Sequence, residues 1–241
     1  MKTYFITGAT SGIGRQLAMD YAASGAKVIA CGRREEKLKE LESYSTNIQG
    51  LCFDITDQMK VNQAIHSVKT HVDVWILNAG DCEYIDDGRI EAKLFRRVFE
   101  VNFFGVVHCL EAIQERVEPG DQVALMSSTA SYIPLPRAEA YGASKSAISY
   151  LARSLAIDWA GIEVNISVIS PGFVKTPLTD KNTFAMPMRI SAEEASVAIQ
   201  KGLAKREREI HFPKRFSYLL KSISLLPQFI QFKLGCKIGA Q

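Results

Sequence analysis

Short apolar runs alternate with amphipathic stretches of helical length along nearly the whole chain. The runs rich in Val, Ile and Phe are predicted strands: KTYFIT (2–7), KVIAC (27–31), GLCFD (50–54), DVWIL (73–77), QVALMS (122–127), EVNISVI (163–169) and EIHF (209–212). Several are apolar on successive residues, which is typical of strands buried on both faces of a sheet. Helical periodicity separates them, as in REEKLKELES (34–43) and in the stretches 91–113 and 140–160.

This alternation predicts an α/β fold. Strand followed by helix indicates right-handed βαβ units, and therefore a doubly wound parallel sheet of about seven strands with helices on both faces. The 241 residues, 47% of them hydrophobic and 23% charged, suit a single domain over 1–241. SAEE at 191–194 has the form of a capping box and predicts a helix start.

Composition argues against several classes of site and protein. The five cysteines lack CxxC spacing and indicate reduced thiols, and the four histidines form no HxxxH or HExxH pattern, so no metal site is expected. MKTYFITG runs directly into the first predicted strand, and no run of about 18 uncharged apolar residues marks a membrane span. We therefore expect a cytoplasmic protein without a signal peptide.

A glycine-rich turn, TGATSGIG (7–14), joins the first strand to the first helix. Gly8 allows a tight turn, Gly12 lets a phosphate approach the backbone, and Gly14 permits close helix–sheet packing. The N–H groups that begin the helix then offer a site for a pyrophosphate. The predicted dinucleotide-binding turn comprises Gly8, Thr10, Ser11, Gly12, Ile13 and Gly14.

The end of the second strand indicates which dinucleotide is bound. NAD-binding sheets commonly carry an acidic residue there, whereas this chain continues from Gly32 into Arg33 and Arg34. An arginine can hold a 2′-phosphate through charge-assisted hydrogen bonds, whereas a carboxylate would repel that phosphate. We therefore predict NADP(H), held mainly by Arg33, with Arg34 nearer the surface; the alternative is that both are solvated surface residues.

YGASK (141–145) sets Tyr141 one helical turn before Lys145 on the same helix face. A carbonyl reduced by hydride becomes an alkoxide that needs a proton, and a free tyrosine, with a pKa near 10, holds its proton too firmly to cycle near neutrality. A neighbouring ammonium, together with the positive ring of oxidised nicotinamide, favours the phenolate. Two unit charges about 4 Å apart interact by roughly 4 kcal/mol at an effective dielectric of 20. The alternative is an ordinary surface pair.

Four motifs occur together in a fixed order along the chain: TGATSGIG at 7–14, NAG at 78–80, the Ser128, Tyr141 and Lys145 set, and PGFVKT at 171–176. With them, residues 3–178 resemble a short-chain dehydrogenase/reductase. The resemblance implies a Rossmann-type sheet, NADP(H)-dependent carbonyl reductase chemistry and a carbonyl or alcohol substrate. Leu77 departs from many members, which have an asparagine there.

The resemblance also implies roles for individual residues. Tyr141 is the acid/base, Lys145 its partner, Ser128 the serine thirteen residues before the tyrosine, and Asn102, in VNFFG, the asparagine that holds a proton-relaying water. The alternatives are that Ser128 only caps a strand end and that Asn102 is an ordinary polar residue of its helix. Further cofactor contacts are implied for Asp54 and Ile55 at the adenine, for Asn78, Ala79 and Gly80, and for Pro171, Gly172, Val174 and Thr176 at the nicotinamide.

The segment 171–190 is rich in proline and polar residues and contains Phe184, Met186 and Met188. Such segments cover active sites as lids, and methionines adapt to varied apolar surfaces. We predict a substrate lid that favours an apolar carbonyl compound, with core packing as the alternative role of these three side chains.

The C-terminal end is basic: residues 201–241 carry nine Lys and Arg against two Glu, which leaves a net charge of −4 on the rest. The tail 214–241 is amphipathic and interrupted by Pro227, so it is not expected to span a bilayer. It is expected to cover the cleft or a dimer partner, or alternatively to contact a membrane surface. Nucleic-acid binding is not expected, because the charge lies at one apolar end without a groove-reading motif.

Members of the family that this chain resembles often pair through the helices that here begin near residues 94 and 139, so a homodimer or homotetramer is expected. Two functions compete with catalysis. One is a catalytically idle nucleotide sensor, and the other is a peripheral membrane protein whose tail is the functional surface. The complete Ser, Tyr, Lys and Asn set favours the enzyme.

Overall fold

The computed structural model describes residues 1–182, 184 and 186–239. The strands are β1 (Thr3–Thr7), β2 (Lys27–Gly32), β3 (Ile48–Cys52), β4 (Val74–Leu77), β5 (Gln122–Met126), β6 (Asn165–Pro171) and β7 (Glu209–Phe212). The helices are α1 (Gly12–Ala23), α2 (Glu35–Tyr44), α3 (Gln58–Ser67), α4 (Ala92–Phe99), α5 (Gly105–Ile113), α6 (Glu139–Asp158), α7 (Ala192–Ala204), α8 (Lys214–Ser224) and α9 (Gln228–Gly239).

The seven strands form one parallel sheet in the order β3-β2-β1-β4-β5-β6-β7. The order reverses between β1 and β4, because the chain first adds strands on one side of β1 and then returns to the other. This is the topological switch point at which doubly wound sheets bind ligands. The predicted doubly wound sheet of seven strands is confirmed.

Both faces of the sheet are buried, as the continuous apolar runs predict. Within β1, Phe5 belongs to the core layer beneath α3, α5 and α6, whereas Ile6 belongs to the layer beneath α1, α2 and α7. The same alternation divides Trp75 from Ile76 in β4. The central strands therefore contribute to both layers, and the strand ends are left to build the site.

Two strands lie two residues away from their predicted positions. β3 ends at Cys52 because its ladder with β2 ends there, and Phe53 and the residue after it run on beyond the sheet. β6 begins late because Glu163 takes a left-handed φ of 59°, and it extends to Pro171 because β7 pairs with it that far. The predicted capping box of Ser191 and Glu194 does begin α7.

Candidate active site

A cleft of about 580 Å³ opens where the carboxyl ends of β1 to β6 meet, across the switch point. It collects most of the residues singled out in the sequence: Gly8, Thr10, Ser11, Gly12, Ile13, Arg33, Arg34, Asp54, Ile55, Asn78, Ala79, Gly80, Ser128, Tyr141, Lys145, Pro171, Gly172, Val174 and Thr176. The predicted site residues outside its lining are Gly14, Asn102, Phe184, Met186 and Met188.

The glycine-rich turn fits its surroundings too closely for side chains. A Cβ on Gly14 would lie 2.5 Å from the Gly8 carbonyl oxygen and 2.5 Å from Asn78 Nδ2, so Gly14 serves packing rather than the cleft itself. Gly8 and Gly12 have left-handed φ values of +67° and +54°, which glycine adopts without strain. A Cβ on Gly12 would lie 3.0 Å from Thr176 Cγ2, which brings the turn against the segment after β6.

Asn78 fastens the turn to the end of β4. Its Nδ2 donates to the Thr7 carbonyl oxygen at 2.9 Å, and the Ala79 N–H donates to Thr7 Oγ1 at 3.0 Å. In the described part of the chain no side chain caps the start of α1, so its first N–H groups remain directed at the cleft. The turn is thus rigid on one side and open to an anion on the other.

Arg33 and Arg34 both lie on the cleft wall but differ in how they are held. The Arg34 Nη2 donates to the Thr10 carbonyl oxygen at 2.9 Å and to Thr10 Oγ1 at 3.1 Å, whereas Arg33 pairs with Asp54 at 3.4 Å. A Cβ on Gly32 would lie 2.5 Å from Thr10 Cγ2, so this glycine lets the turn approach β2. Both arginines are exposed, as the sequence led us to expect for Arg34, but the hydrogen bonds to Thr10 also hold Arg34 against the turn.

Asp54 lies at the far wall of the cleft with its carboxylate engaged. Oδ1 accepts the N–H and the hydroxyl of Thr56 at 3.0 and 2.9 Å, and Oδ2 faces Arg33. Burial raises the pKa of Asp54, but the Thr56 hydrogen bonds and the Arg33 cation outweigh it and hold that pKa below its usual value. Asp54 is a fixed anion that orients Arg33.

The serine, tyrosine and lysine predicted to be catalytic meet at the other end of the cleft. Ser128 follows β5, and its Oγ accepts the Ala130 N–H at 3.1 Å. Tyr141 lies in the first turn of α6, with the Lys145 Nζ 5.7 Å from the centre of its ring. This Nζ donates to the Met126 carbonyl oxygen at 3.0 Å, which holds the ammonium beneath the cleft floor.

Burial governs the protonation of this pair. Burial raises the pKa of the Tyr141 phenol, and the nearby Cys82 thiol raises it further. A hydrogen bond with Ser128 lowers this pKa but does not outweigh the other two effects. Burial lowers the pKa of the Lys145 ammonium to about 8. The sequence led us to expect a lowered Tyr141 pKa. The structure gives the opposite direction, because loss of hydration outweighs the charge of a lysine that is itself desolvated.

Asn102 is fully buried in a π-helical turn, Glu100–Phe104, between α4 and α5. Its Oδ1 accepts the Asp81 N–H at 2.7 Å, and its Nδ2 donates to the Asp81 carbonyl oxygen at 2.8 Å and to Ser144 Oγ at 3.0 Å. The side chain expected to hold a water is thus bound by the protein. Asn102 therefore fixes the loop after β4. Gly80 of this loop packs closely against it, since a Cβ on Gly80 would lie 3.1 Å from Asn102 Oδ1 and 3.2 Å from Lys145 Nζ.

Sequence reasoning missed several residues that build this end of the cleft. Ser127 Oγ donates to the Lys145 carbonyl oxygen at 2.8 Å and lies 2.7 Å from Ser149 Oγ, which ties α6 to the end of β5. Ser144 is the serine of YGASK and lies about one helical turn after Tyr141, so the motif itself pointed to it. Nothing in the local sequence distinguishes Ser127 or Ser149, because their partners come from distant segments.

The predicted lid contributes an aromatic side chain near the cleft. Phe184 lies edge-on to Tyr84 with ring centres 5.3 Å apart and to Phe173 at 6.1 Å, and Phe173 meets Phe216 of α8 at 5.5 Å. We call Tyr84, Phe184, Phe173 and Phe216 the aromatic chain. The Met186 sulfur accepts Asn182 Nδ2 at 3.4 Å, Met188 is exposed, and residues 183 and 185 of the lid lie outside the described residues.

Cys82 was treated as an ordinary thiol in the sequence and lies next to the reactive end. Partial burial raises its pKa to about 11, although a Tyr84 hydrogen bond and the Lys145 charge oppose this. A neutral thiol is a poor nucleophile, so near neutral pH Cys82 is a small polar neighbour of Tyr84 rather than a reactive group.

Comparison with known proteins identifies the fold around this cleft. A family model described as short chain dehydrogenase matches residues 2–186, more than half of the chain. The chain belongs to the short-chain dehydrogenase/reductase family. It is therefore an oxidoreductase by family, and the family predicted from the four ordered motifs is confirmed.

Relatives of this short-chain dehydrogenase share just under a third of its sequence. An uncharacterized oxidoreductase of Myxococcus xanthus is 29% identical over 235 residues, covering 94% of this chain and 93% of the relative. A protein named 11-beta-hydroxysteroid dehydrogenase 1A, from Arabidopsis thaliana, is 28% identical over 266 residues, covering 98% of this chain and 75% of the relative.

Solved structures of the same family have the same fold. A short-chain dehydrogenase from Streptomyces avermitilis superposes with a TM-score of 0.84 at 22% identity, over 97% of this chain and 94% of the other. A Burkholderia phymatum member, solved in complex with NAD, superposes with a TM-score of 0.81 at 22% identity, over 91% of this chain and 92% of the other. Among the residues described for this short-chain dehydrogenase, no helix combines the length and apolarity needed to cross a membrane.

Proposed function

We propose that this short-chain dehydrogenase transfers hydride between NADP(H) and a carbonyl compound or secondary alcohol, with Tyr141 as the acid/base. One observation carries the proposal. Ser128, Tyr141 and Lys145 line the same cleft as the glycine-rich turn, so a dinucleotide and a reacting carbonyl would share one site.

The cleft residues suit a dinucleotide. The glycine-rich turn leaves a cradle that side chains would fill, and the open start of α1 suits a pyrophosphate. Arg34 at the turn and Arg33 beside it form a cationic pair that favours a 2′-phosphate over the bare ribose. The bound nicotinamide would supply or accept the hydride.

The protein's own groups would manage the proton. The raised pKa keeps the Tyr141 phenol protonated at neutral pH, so it can donate to the oxygen that becomes an alkoxide. The Ser128 hydroxyl would donate a hydrogen bond to the same oxygen as its negative charge develops. Below about pH 8 Lys145 is a cation, and it would stabilise the phenolate that remains on Tyr141.

An apolar skeleton is the substrate class that the surroundings favour. Phe184 links Tyr84, in the loop after β4, to Phe173, in the segment after β6, so aromatic rings border the reactive end. The name of the Arabidopsis relative, a hydroxysteroid dehydrogenase, is consistent with an alcohol on a bulky apolar framework. We include aldehydes, ketones, keto-lipids and steroids in this class.

The test follows NADPH consumption against a panel of these compounds, with Tyr141→Phe beside the wild type. We expect turnover with NADPH to exceed that with NADH and to fall by about a thousandfold in the variant. Tyr150→Phe, an exposed tyrosine of the same helix, is the control and should keep full activity.

NADPH binding measured by calorimetry separates the outcomes. A Tyr141→Phe protein that still binds NADPH but does not turn over supports the acid/base role. Wild-type protein that binds NADPH and reduces nothing in the panel would instead favour the nucleotide sensor. Turnover surviving in Tyr141→Phe would refute the mechanism.

The finer expectations about partners and location are also proposals. We propose a homodimer or homotetramer, supported by exposed apolar side chains on α6, and a cytoplasmic location. Contact of the tail 214–241 with a membrane is independent of catalysis.

A further inference from the structure

The last helix carries large apolar side chains on two faces, although only one of these faces packs on the protein. Ile230 and Leu234 of α9 are partly buried, and Leu234 faces a gap of about 160 Å³ shared with Ile133. On the outer face, Phe229 is 63% and Phe232 71% exposed. Large apolar side chains clustered on an exposed surface mark a site of interaction.

The exposed apolar surface begins before α9. Leu225, in the connection from α8, is 87% exposed, and the neighbouring Leu226 is also exposed. Phe229 and Phe232 follow at a spacing of three residues, which keeps them on one helical face. We call Leu225, Phe229 and Phe232 the α9 stripe.

Cations alone accompany the α9 stripe. From residue 213 to residue 241 the sequence contains five Lys and Arg and neither Asp nor Glu. Lys233 and Lys237 are exposed on α9. Lys233 follows Phe232 directly, and Lys237 lies one turn further along, so both flank the α9 stripe on the same side.

We propose that the α9 stripe docks this short-chain dehydrogenase onto an anionic lipid surface. Aromatic and leucine side chains beside lysines are the composition of helices that lie in a membrane interface. Anionic headgroups attract each nearby lysine, while the apolar stripe enters the acyl boundary. The tail would thus be a surface contact rather than a membrane span.

Charge favours lipid over a second copy of the chain. A symmetric pair formed through the α9 stripe would bring identical patches together, so Lys233 and Lys237 would face the same lysines of the partner. No carboxylate of residues 213–241 is available to compensate for that repulsion. An anionic surface supplies the missing charge.

Docking would also bear on the substrate. α8 joins α9 to the aromatic chain through Phe216, which contacts Phe173. A bilayer held at α9 would therefore lie on the side of the cleft where apolar compounds are expected to enter. This consequence rests on the proposed function, whereas the docking itself does not.

The test is co-sedimentation of the full chain with vesicles of phosphatidylcholine alone or mixed with phosphatidylglycerol. We expect binding to the mixed vesicles only, weakened by salt. Phe229→Ser/Phe232→Ser should lower binding by roughly tenfold or more. The control is Met59→Ser, which alters a residue 74% exposed on α3, and it should bind as the wild type does.

A second pair of variants tests the charges and leaves the apolar side chains of the α9 stripe in place. Lys233→Gln/Lys237→Gln should weaken binding by about 30-fold, because each lysine contributes about fivefold near an anionic surface. Lys69→Gln/Lys201→Gln alters two exposed lysines elsewhere and gives the same net charge, so it should bind as the wild type.

Three results would overturn the docking proposal. They are wild-type protein that stays in the supernatant with anionic vesicles, equal binding to neutral vesicles, and stripe variants that bind as the wild type does. Sedimentation velocity without lipid adds a fourth, since a dimer that becomes a monomer in Phe229→Ser/Phe232→Ser would identify a second copy as the occupant. NADPH turnover on a soluble aldehyde is measured separately, so its failure would bear only on the proposed function.

Discussion

The Lys145 ammonium lies beside Tyr141, and only 3% of the surface of Lys145 is exposed. Its hydrogen bond to the Met126 carbonyl oxygen compensates only partly for the lost hydration. The fold therefore holds this residue in a state that favours the neutral amine, as its lowered pKa shows. Functional groups are often kept in such destabilised states, because the same burial strengthens their electrostatic action on a neighbour.

The first prediction concerns stability as a function of pH. The unfolded chain keeps Lys145 protonated up to about pH 10.5, whereas the folded chain releases that proton at about 8. Between these values the unfolded state binds more protons, so the stability of the wild type rises with pH through this window. In Lys145→Met this contribution disappears.

We therefore expect the wild type to gain about 2 kcal/mol relative to Lys145→Met between pH 7 and pH 10. Urea unfolding of both proteins at the two pH values measures this difference. Lys201→Met, at an exposed lysine, should follow the wild type. A constant difference between wild type and Lys145→Met would mean that the ammonium is not desolvated.

The second prediction concerns cofactor choice. Arg33→Ala and Arg34→Ala should each weaken NADPH binding by about 10- to 100-fold, because a charge-assisted hydrogen bond to the 2′-phosphate is lost, while NADH binding changes little. Calorimetric titration with both cofactors measures the split. Arg208→Ala, an exposed arginine before β7, is the control. Equal losses for both cofactors would point to a structural role at the turn, above all for Arg34.

The third prediction concerns packing at the glycine-rich turn. An alanine Cβ at position 14 would meet the Gly8 carbonyl oxygen at 2.5 Å, and backbone cannot yield as a flexible side chain would. Gly14→Ala should therefore destabilise the protein by about 1–3 kcal/mol and weaken dinucleotide binding. Gly161→Ala, where nothing lies within 4 Å of the added carbon, should be near neutral in the same unfolding assay.

At the scale of secondary structure, one interrupted helix explains how the site is held. Residues 91–113 read as a continuous helix, but the structure inserts the π-helical turn Glu100–Phe104. Such turns are frequent at functional sites because one extra residue redirects a side chain. Here the turn directs Asn102 inward, where its amide holds the backbone of Asp81.

The fourth prediction follows from that bond pattern. Asn102→Ala leaves the Asp81 N–H and carbonyl without their partner, so we expect a loss of about 3 kcal/mol in stability together with reduced turnover. Thermal unfolding and steady-state kinetics measure the two effects. Asn62→Ala, a partly exposed asparagine on α3, is the control. Full stability with lost turnover would instead support the water-holding role expected from the sequence.

Patterns in the sequence predicted the strands and the motif residues well, but they predicted few of the contacts between distant segments. Apolar runs located all seven strands, and four ordered motifs found most of the cleft residues, because both depend on neighbours in sequence. The π-helical turn, the Ser127–Ser149 clamp and the aromatic chain depend on segments that meet only in the fold. The protonation of Tyr141 was misjudged because desolvation depends on burial, which sequence spacing does not reveal.

At the scale of the whole molecule, apolar surface remains on a second helix besides α9. Tyr150 and Ile157 lie seven residues apart on α6 and are exposed, and Phe104 is exposed near the start of α5. Family members often pair through the corresponding helices, so we propose that this surface forms a homodimer interface.

The fifth prediction tests that interface. Tyr150→Glu/Ile157→Glu should convert the wild-type dimer or tetramer into smaller species, because buried unpaired carboxylates are costly. Sedimentation velocity gives the mass of each protein, and Met59→Glu is the control at an equally exposed apolar site. Unchanged mass in the double variant would exclude α6 as the contact.

The order of the strands also has a consequence for synthesis on the ribosome. Every residue expected at the adenosine end of the cofactor, from Gly8 to Gly80, is translated before the catalytic set is complete. The turn at Gly12 nevertheless meets Thr176, so its outer wall is added only after β6 emerges. Because a domain generally folds as a unit, a nascent chain would complete the nucleotide cradle and the catalytic set together, late in synthesis.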